Sequence, residues 1–284
     1  MPTPKQEHLN RHREENRVMA LRKPAPRTNV RQLPRRRLGP RVSAIEWQTR
    51  VDLAACYRLV AYYGWTDQIY NHISARVPDA PEHFFINAYG MLFEEITASS
   101  LVRIDGDGNV LDDKTGLGVN QAGFVIHSAI HAARPDAACL IHTHSRAGMA
   151  VSAQQDGLLP LTQHALKFHD RLAYHDYEGI AIDTDERARL ARDLGTRNAM
   201  ILRNHGLLTL GPTIRQAFEE IYYLERACEA QIDALAGGVK LNLPSPEACE
   251  KTARLFERPN RAAITRDWPA LLRLLDRRDD SYKS

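Results

Sequence analysis

Apolar positions change their rhythm at residue 43. From there Trp47, Val51, Ala54, Ala55, Leu59 and Tyr62 recur three and four apart, the repeat of one helix face. Ser43 and Glu46 form a Ser-x-x-Glu capping box at the start, and Gly64 stands where a helix stops. The spacing predicts an amphipathic helix laid on a core. Short segments of strand character follow at residues 71–77, 83–87 and 101–104, the last turning through Asp105-Gly106-Asp107-Gly108 into 109–111 as a hairpin. That run resembles the start of a calcium loop. Val110 takes the place of the required glycine, however, and Gly116 that of the bidentate glutamate, so it reads as a turn.

Residues 121–133 return to helical spacing through Val125, Ile126, Ala129, Ile130 and Ala133, and Pro135 ends the run. A buried strand is predicted over 137–144, a polar helix over 186–194, and two apolar strands over 200–202 and 207–210 with Asn204-His205-Gly206 between them. Thr213 and Gln216 make a second capping box. It opens a long helix with Ile214, Phe218, Ile221, Leu224 and Cys228 on one face and Gly237-Gly238 at its end. The alternation predicts a layered α/β domain over residues 43–240 with no regular βαβ repeat, followed by a helical C-terminal extension over 241–284.

Charge changes the picture at one end only. Of 38 Lys/Arg and 35 Asp/Glu in 284 residues, twelve Lys/Arg and three Glu fall in residues 1–42, so the net +3 conceals a tail of +9 on a body of −6. With Pro24, Pro26, Pro34 and Pro40 and few apolar residues, this basic extension is expected to be disordered. Arg35-Arg36-Arg37 has no interleaved aromatics and no nucleic-acid fold signature, so nucleic-acid binding is not expected. No stretch approaches the roughly 20 apolar residues of a membrane helix, and Cys56, Cys139, Cys228 and Cys249 lie far apart in apolar patterns. Both features predict a cytoplasmic protein with reduced cysteines and no membrane span.

His142-Thr143-His144 lies at the end of a predicted strand, where alternate side chains share a face, so both imidazoles project to one side. His205 ends another apolar segment beside Gly206. Three imidazoles suit zinc, iron, manganese or cobalt and leave positions for substrate and water. By spacing alone the alternative stays open that these are ordinary core or surface histidines. A rival pair, His127 and His131, is four apart on one helix face, also a zinc-compatible spacing. His164, His169 and His175 lie in the irregular stretch, where Tyr174-His175-Asp176-Tyr177-Glu178-Gly179 reads either as a pocket lining or as a polar loop.

Taken together, Tyr70-Asn71-His72-Ile73-Ser74, Gly118-Val119-Asn120-Gln121-Ala122-Gly123, His127-Ser128-Ala129-Ile130, Ala133-Arg134-Pro135-Asp136, His142-Thr143-His144, Tyr174-His175-Asp176-Tyr177 and Arg203-Asn204-His205-Gly206 resemble the class II aldolase/adducin family in order and spacing. The match covers about residues 43–240 and is nearest to the adducin head domain and its bacterial relatives. The resemblance implies a three-layer α/β/α fold around a central mixed sheet, one divalent metal held by His142, His144 and His205 (Zn2+ first, with Mn2+ or Fe2+ as alternatives), and a symmetric homotetramer acting on a small-molecule substrate.

The sequence departs from the family's sugar-phosphate enzymes at their proton-transfer and phosphate positions. Their catalytic acid, four residues before the histidine matched by His127, falls on Gly123; Gln121 and Ala122 replace phosphate-binding serines, Asn71-His72-Ile73-Ser74 replaces a Gly-Asn-x-Ser loop, and Tyr89-Gly90 a Thr-Gly. The expected function is therefore a lyase cleaving a carbon–carbon bond of a small non-phosphorylated oxo or hydroxy compound, by aldol cleavage or decarboxylation through a metal-stabilised enolate. His127, Tyr177 and Glu178 are the candidate bases. Two alternatives stand beside it: a non-catalytic adducin-like binding or cytoskeletal module, and an iron-dependent oxygenase on the same scaffold.

Overall fold

A computed structural model describes residues 42–179, 186–258 and 266–284; the basic segment 1–41 lies outside the described residues. The helix foreseen from residue 43 forms as α1 (Ala44–Tyr62), with Ser43 Oγ accepting from the Glu46 amide at 3.1 Å. The reciprocal half of the box differs from expectation. Glu46 turns its carboxylate to Arg50 at 3.2 Å, inside the fold, because a buried guanidinium needs that charge more than an exposed amide needs a second cap.

Eight strands form one sheet: β1 (His72–Val77), β2 (Ala80–Ile86), β3 (Val102–Ile104), β4 (Val110–Asp112), β5 (Cys139–Thr143), β6 (Ala173–His175), β7 (Ala199–Leu202) and β8 (Gly206–Gly211). Their spatial order is β4-β3-β2-β1-β5-β8-β7-β6, with every pair antiparallel except β6 with β7. This is the expected mixed sheet. The hairpin between β3 and β4 turns on Asp105, whose carboxylate accepts from the Asp107 and Asn109 amides and from the Asn109 side chain, each at 2.9 Å. Its oxygens are spent within the loop, which fits a turn and not a cation loop.

Period-two alternation sorts the strands into two faces. On one face Ile73, Ala75, Ile141, Ala199, Ile201 and Leu207 pack against α1 and the long helix α6 (Ile214–Ala236). On the other, Leu140, Met200, Leu202, Leu208 and Leu210 meet Ile126 and Ile130 of α2 (Gln121–Ala133) and Leu190 and Leu194 of α5 (Glu186–Leu194). Burying these side chains on both faces, at about 25 cal/mol per Å² of apolar surface, is what holds the three layers together. Short helices α3 (Arg146–Ser152) and α4 (Gln163–Leu166) occupy the stretch that carries little periodicity. Beyond α6, α7 (Pro246–Phe256) and α8 (Asp267–Arg278) follow, and Trp268, Leu275 and Tyr282 join the same core as α1.

Candidate metal centre

Strand alternation places His142 on the α2 side of the sheet, and the chain carries His144 to the same side just past the end of β5. His205 comes from the turn joining β7 to β8. Asn204 there adopts φ 55°, a left-handed conformation that asparagine tolerates, and Gly206 lets the turn press on β5. A Cβ on Gly206 would meet the Thr143 carbonyl and lie 3.3 Å from the His144 ring. The three Nε2 atoms converge: His142 to His144 at 2.8 Å and His144 to His205 at 3.0 Å.

The outer nitrogens decide what this convergence means. His142 Nδ1 donates to the Leu207 carbonyl at 2.8 Å, and His144 Nδ1 to Asp67 Oδ2 at 3.2 Å. A neutral imidazole has one N–H, so both Nε2 atoms present bare lone pairs to each other. Protonation of His142 or His205 does not relieve the crowding. Burial first, then the neighbouring imidazoles, pushes His142 well below the ordinary histidine range, and burial followed by His144 lowers His205 to about 4. Lone pairs at this spacing, with the tautomers of His142 and His144 set from outside, form a donor set suited to a divalent cation. Among the described residues His142, His144 and His205 are the group so arranged, their donor atoms all within 4.8 Å of one another. Asn71, itself buried, braces the site: its Oδ1 accepts from the His144 amide at 3.2 Å and its Nδ2 donates to the Trp65 carbonyl at 2.8 Å.

A second set of histidines lies beside the first, and sequence reasoning split it wrongly between motifs. His72 and Ser74 occupy alternate positions of β1 facing α2, where His127 and His131 stand one turn apart. His72 Nδ1 bonds His127 Nε2 at 2.8 Å, His127 Nδ1 bonds Ser74 Oγ, and Ser74 Oγ bonds His131 Nε2 at 2.8 Å. The rival pair thus meets on a serine hydroxyl, with ring centroids 6.4 Å apart. His127 is buried behind His72, whose ring packs 5.0 Å from that of His142. Gly123 explains how His72 fits. A Cβ built on it would lie 2.6 Å from His72 Nε2, so the imidazole fills the space any side chain at 123 would need. The signal for this network was present as polar residues at strand period on one element and helix period on another; what was missing was which elements touch.

Burial, then His131, lowers His127 to about 3, and burial, then Arg76, lowers His131 to about 3. Their folded values lie below the unfolded value, so the stability they contribute is complete above about pH 6.5 and is lost as pH falls from there toward 3. Each group's share of the slope is at most about 1.4 kcal/mol per pH unit. His131→Gln should therefore flatten the acid limb of a plot of melting temperature against pH. An unchanged limb would show that His131 is already charged in the fold.

The other histidines expected in the irregular stretch do not converge. His164 packs on the Tyr223 ring with centroids 5.0 Å apart, His169 lies by Asp170, and His175 Nδ1 is bonded to Asp193 at 2.7 Å. His175, Tyr177 and Glu178 do line a small pocket that reaches His205 and Arg203. Within it Tyr177 is 55% exposed, while Glu178 is ion-paired with Arg189.

Residues 51–232 match the family described as Class II Aldolase and Adducin N-terminal domain. The chain belongs to the class II aldolase/adducin family. Relatives show how far that membership extends. A Caulobacter vibrioides protein, provisionally named an aldolase class 2 protein, is 52% identical over 88% of this chain and 97% of its own length. Mouse alpha-adducin is 50% identical over 66% of this chain, which corresponds to 26% of adducin. The crystal structure of an aldolase II superfamily protein from Pseudomonas syringae superposes with a TM-score of 0.83 at 54% identity, covering 86% of this chain and 98% of that one. An L-fuculose 1-phosphate aldolase from Glaciozyma antarctica does so at 0.76 and 28%, covering 88% and 97%. The eight-stranded mixed sheet between helical layers is thus the class II aldolase fold, and its histidine triad suits a divalent metal. No helix among the described residues is long and apolar enough to cross a membrane.

Proposed function

We propose that this family member is a metal-dependent lyase that breaks a carbon–carbon bond, by aldol cleavage or decarboxylation, in a small non-phosphorylated oxo or hydroxy compound. The reading rests above all on the convergence of the His142, His144 and His205 Nε2 atoms, with the outer nitrogens of His142 and His144 already engaged. Zn2+ suits three neutral nitrogen donors with an open position, and Mn2+ or Fe2+ accept the same set. A bound dication would polarise a carbonyl or hydroxyl oxygen and stabilise the enolate left by bond cleavage.

The chain's own residues divide the remaining work. Asp67 and Asn71 hold His144 in position, and His72 closes the side of the site that Gly123 leaves without a side chain. Of the three candidate bases, His127 has both nitrogens engaged and Glu178 is paired, whereas Tyr177 presents its ring to the pocket beside His205. Tyr177 is the group we assign to the substrate hydroxyl proton in aldol cleavage. Decarboxylation needs no such group, since departing carbon dioxide leaves its electron pair behind. A homotetramer with sites near subunit boundaries belongs to the same proposal.

One observation favours a second reading, an adducin-like binding module: the 50% identity to alpha-adducin over 189 residues. The two separate in one experiment. Metal analysis of chelator-free protein, followed by a turnover screen of oxo and hydroxy acids, should give turnover that vanishes in His142→Ala. A metal-bound protein silent on every compound would support the binding module.

A further inference from the structure

Glu225 lies on α6, on the opposite face of the sheet from the three histidines, and its side chain is inaccessible to solvent. An ionised carboxylate in such a place is costly unless hydrogen-bonded, and a well-packed apolar residue there would serve the core at least as well. Its partners show where its interactions are directed. Thr143 Oγ1 donates to Oε1 at 2.7 Å, and Ser145 Oγ donates to Oε2. Ser145 Oγ also accepts from the Gly148 amide at 2.9 Å, capping α3, so its one hydroxyl proton is left for the carboxylate. Burial pushes Glu225 up to about 7 against these two bonds, which lower it.

Thr143 is the residue between the two ligands of the His-x-His segment, and Ser145 is the residue after the second. Their side chains point to α6 because strand alternation sends them away from the imidazoles. We infer that Glu225 is a positioning residue for the metal centre, a bidentate clamp that holds the hydroxyls of the residues on both sides of His144 from behind the sheet and so sets the separation of the His142 and His144 imidazoles. Asn71 and Asp67 hold His144 from the ligand side, and Glu225 completes the hold from the other. The inference rests on the metal reading of His142, His144 and His205.

The test is a competition titration with Zn2+ against a chromophoric chelator, run beside thermal melts of the metal-free proteins. Outer-shell partners of metal ligands typically contribute about 10–100-fold in affinity. Glu225→Gln keeps the shape but removes one of the two acceptors, and is expected to weaken Zn2+ binding by about that factor. Thr143→Val removes one donor and should weaken binding as well, with the double variant losing less than the product of the two single losses. Ile221→Val, a mild core change on the same helix, serves as the stability-matched control and should bind Zn2+ like the parent. If Glu225→Gln misfolds, the Thr143→Val titration decides alone. A parent protein that binds Zn2+ together with Glu225→Gln or Thr143→Val proteins that bind it within twofold overturns the clamp while leaving the metal reading intact. A parent protein that binds no Zn2+ overturns both.

Discussion

His144→Ala is expected to abolish stoichiometric metal binding, with a loss of affinity larger than the roughly 10–100-fold that follows removal of an outer-shell partner. The reason is geometric. His144 Nε2 is the middle donor, 2.8 Å from that of His142 and 3.0 Å from that of His205, so removing it leaves two ligands where three were assembled. A compensating shift is blocked, because His142 is tied to the Leu207 carbonyl and His205 sits in a turn held by the left-handed Asn204 and the pressed Gly206. The metal-free variant should melt no lower than the metal-free parent, since it relieves lone-pair crowding that only a cation offsets. Elemental analysis after gel filtration reads the first expectation and calorimetry the second. Full occupancy in His144→Ala would sink the assignment, and loss of metal from a His127→Ala, His131→Ala double variant with the triad intact would move the site to that pair.

The parts of the fold that local chemistry specifies were legible in the sequence. Ser43 and Thr213 accept from the amides expected of N-caps, α1, α2, α5 and α6 follow the apolar spacing, and β5 and β7 run where continuous apolar segments lead into histidines. What escaped is what depends on distant partners. β6 has three residues, too few to show a period, and exists because Tyr174 and His175 pair in parallel with Ile201 and Leu202. The helices α3 and α4 are one or two turns long and owe their form to packing against α6 rather than to pattern. At the site, His142, His144 and His205 were legible as one ligand set, whereas nothing joined His72, Ser74, His127 and His131 into one network or tied Glu225 to the histidines. Each needs a residue on one element to meet another on an element far away in the chain, and no window of sequence contains that information.

Sugar phosphates should be poor aldol substrates for this protein even with its metal site filled. By sequence, glycine stands at the family's acid position, and the loss of a positioned acid or base typically costs about 10²–10⁴-fold in rate. The structure removes the simplest rescue: a glutamate placed at position 123 would drive its Cβ into His72, so Gly123→Glu alone is expected to lower stability and return no activity. Phosphate recognition fails for a related reason. Ser74, the serine kept from the Gly-Asn-x-Ser loop, is buried with its hydroxyl engaged by His127 and His131, so it has none to offer an anion. Tyr89 replaces a small hydroxyl with a bulky ring, and the side chains of Gln121 and Ala122 lie outside the described ones. Each lost hydrogen bond to a charged group costs about 1.5–3 kcal/mol, enough for roughly tenfold or more apiece. A coupled assay with fuculose, rhamnulose and ribulose phosphates, run on protein of confirmed metal content, checks the expectation. Robust turnover of any of the three would mean that a residue other than 123 performs the proton transfer and that a phosphate binds away from Ser74. A His72→Gly, Gly123→Glu double variant that gains such turnover where the Gly123→Glu single variant does not would show that the imidazole and the missing carboxylate compete for one space.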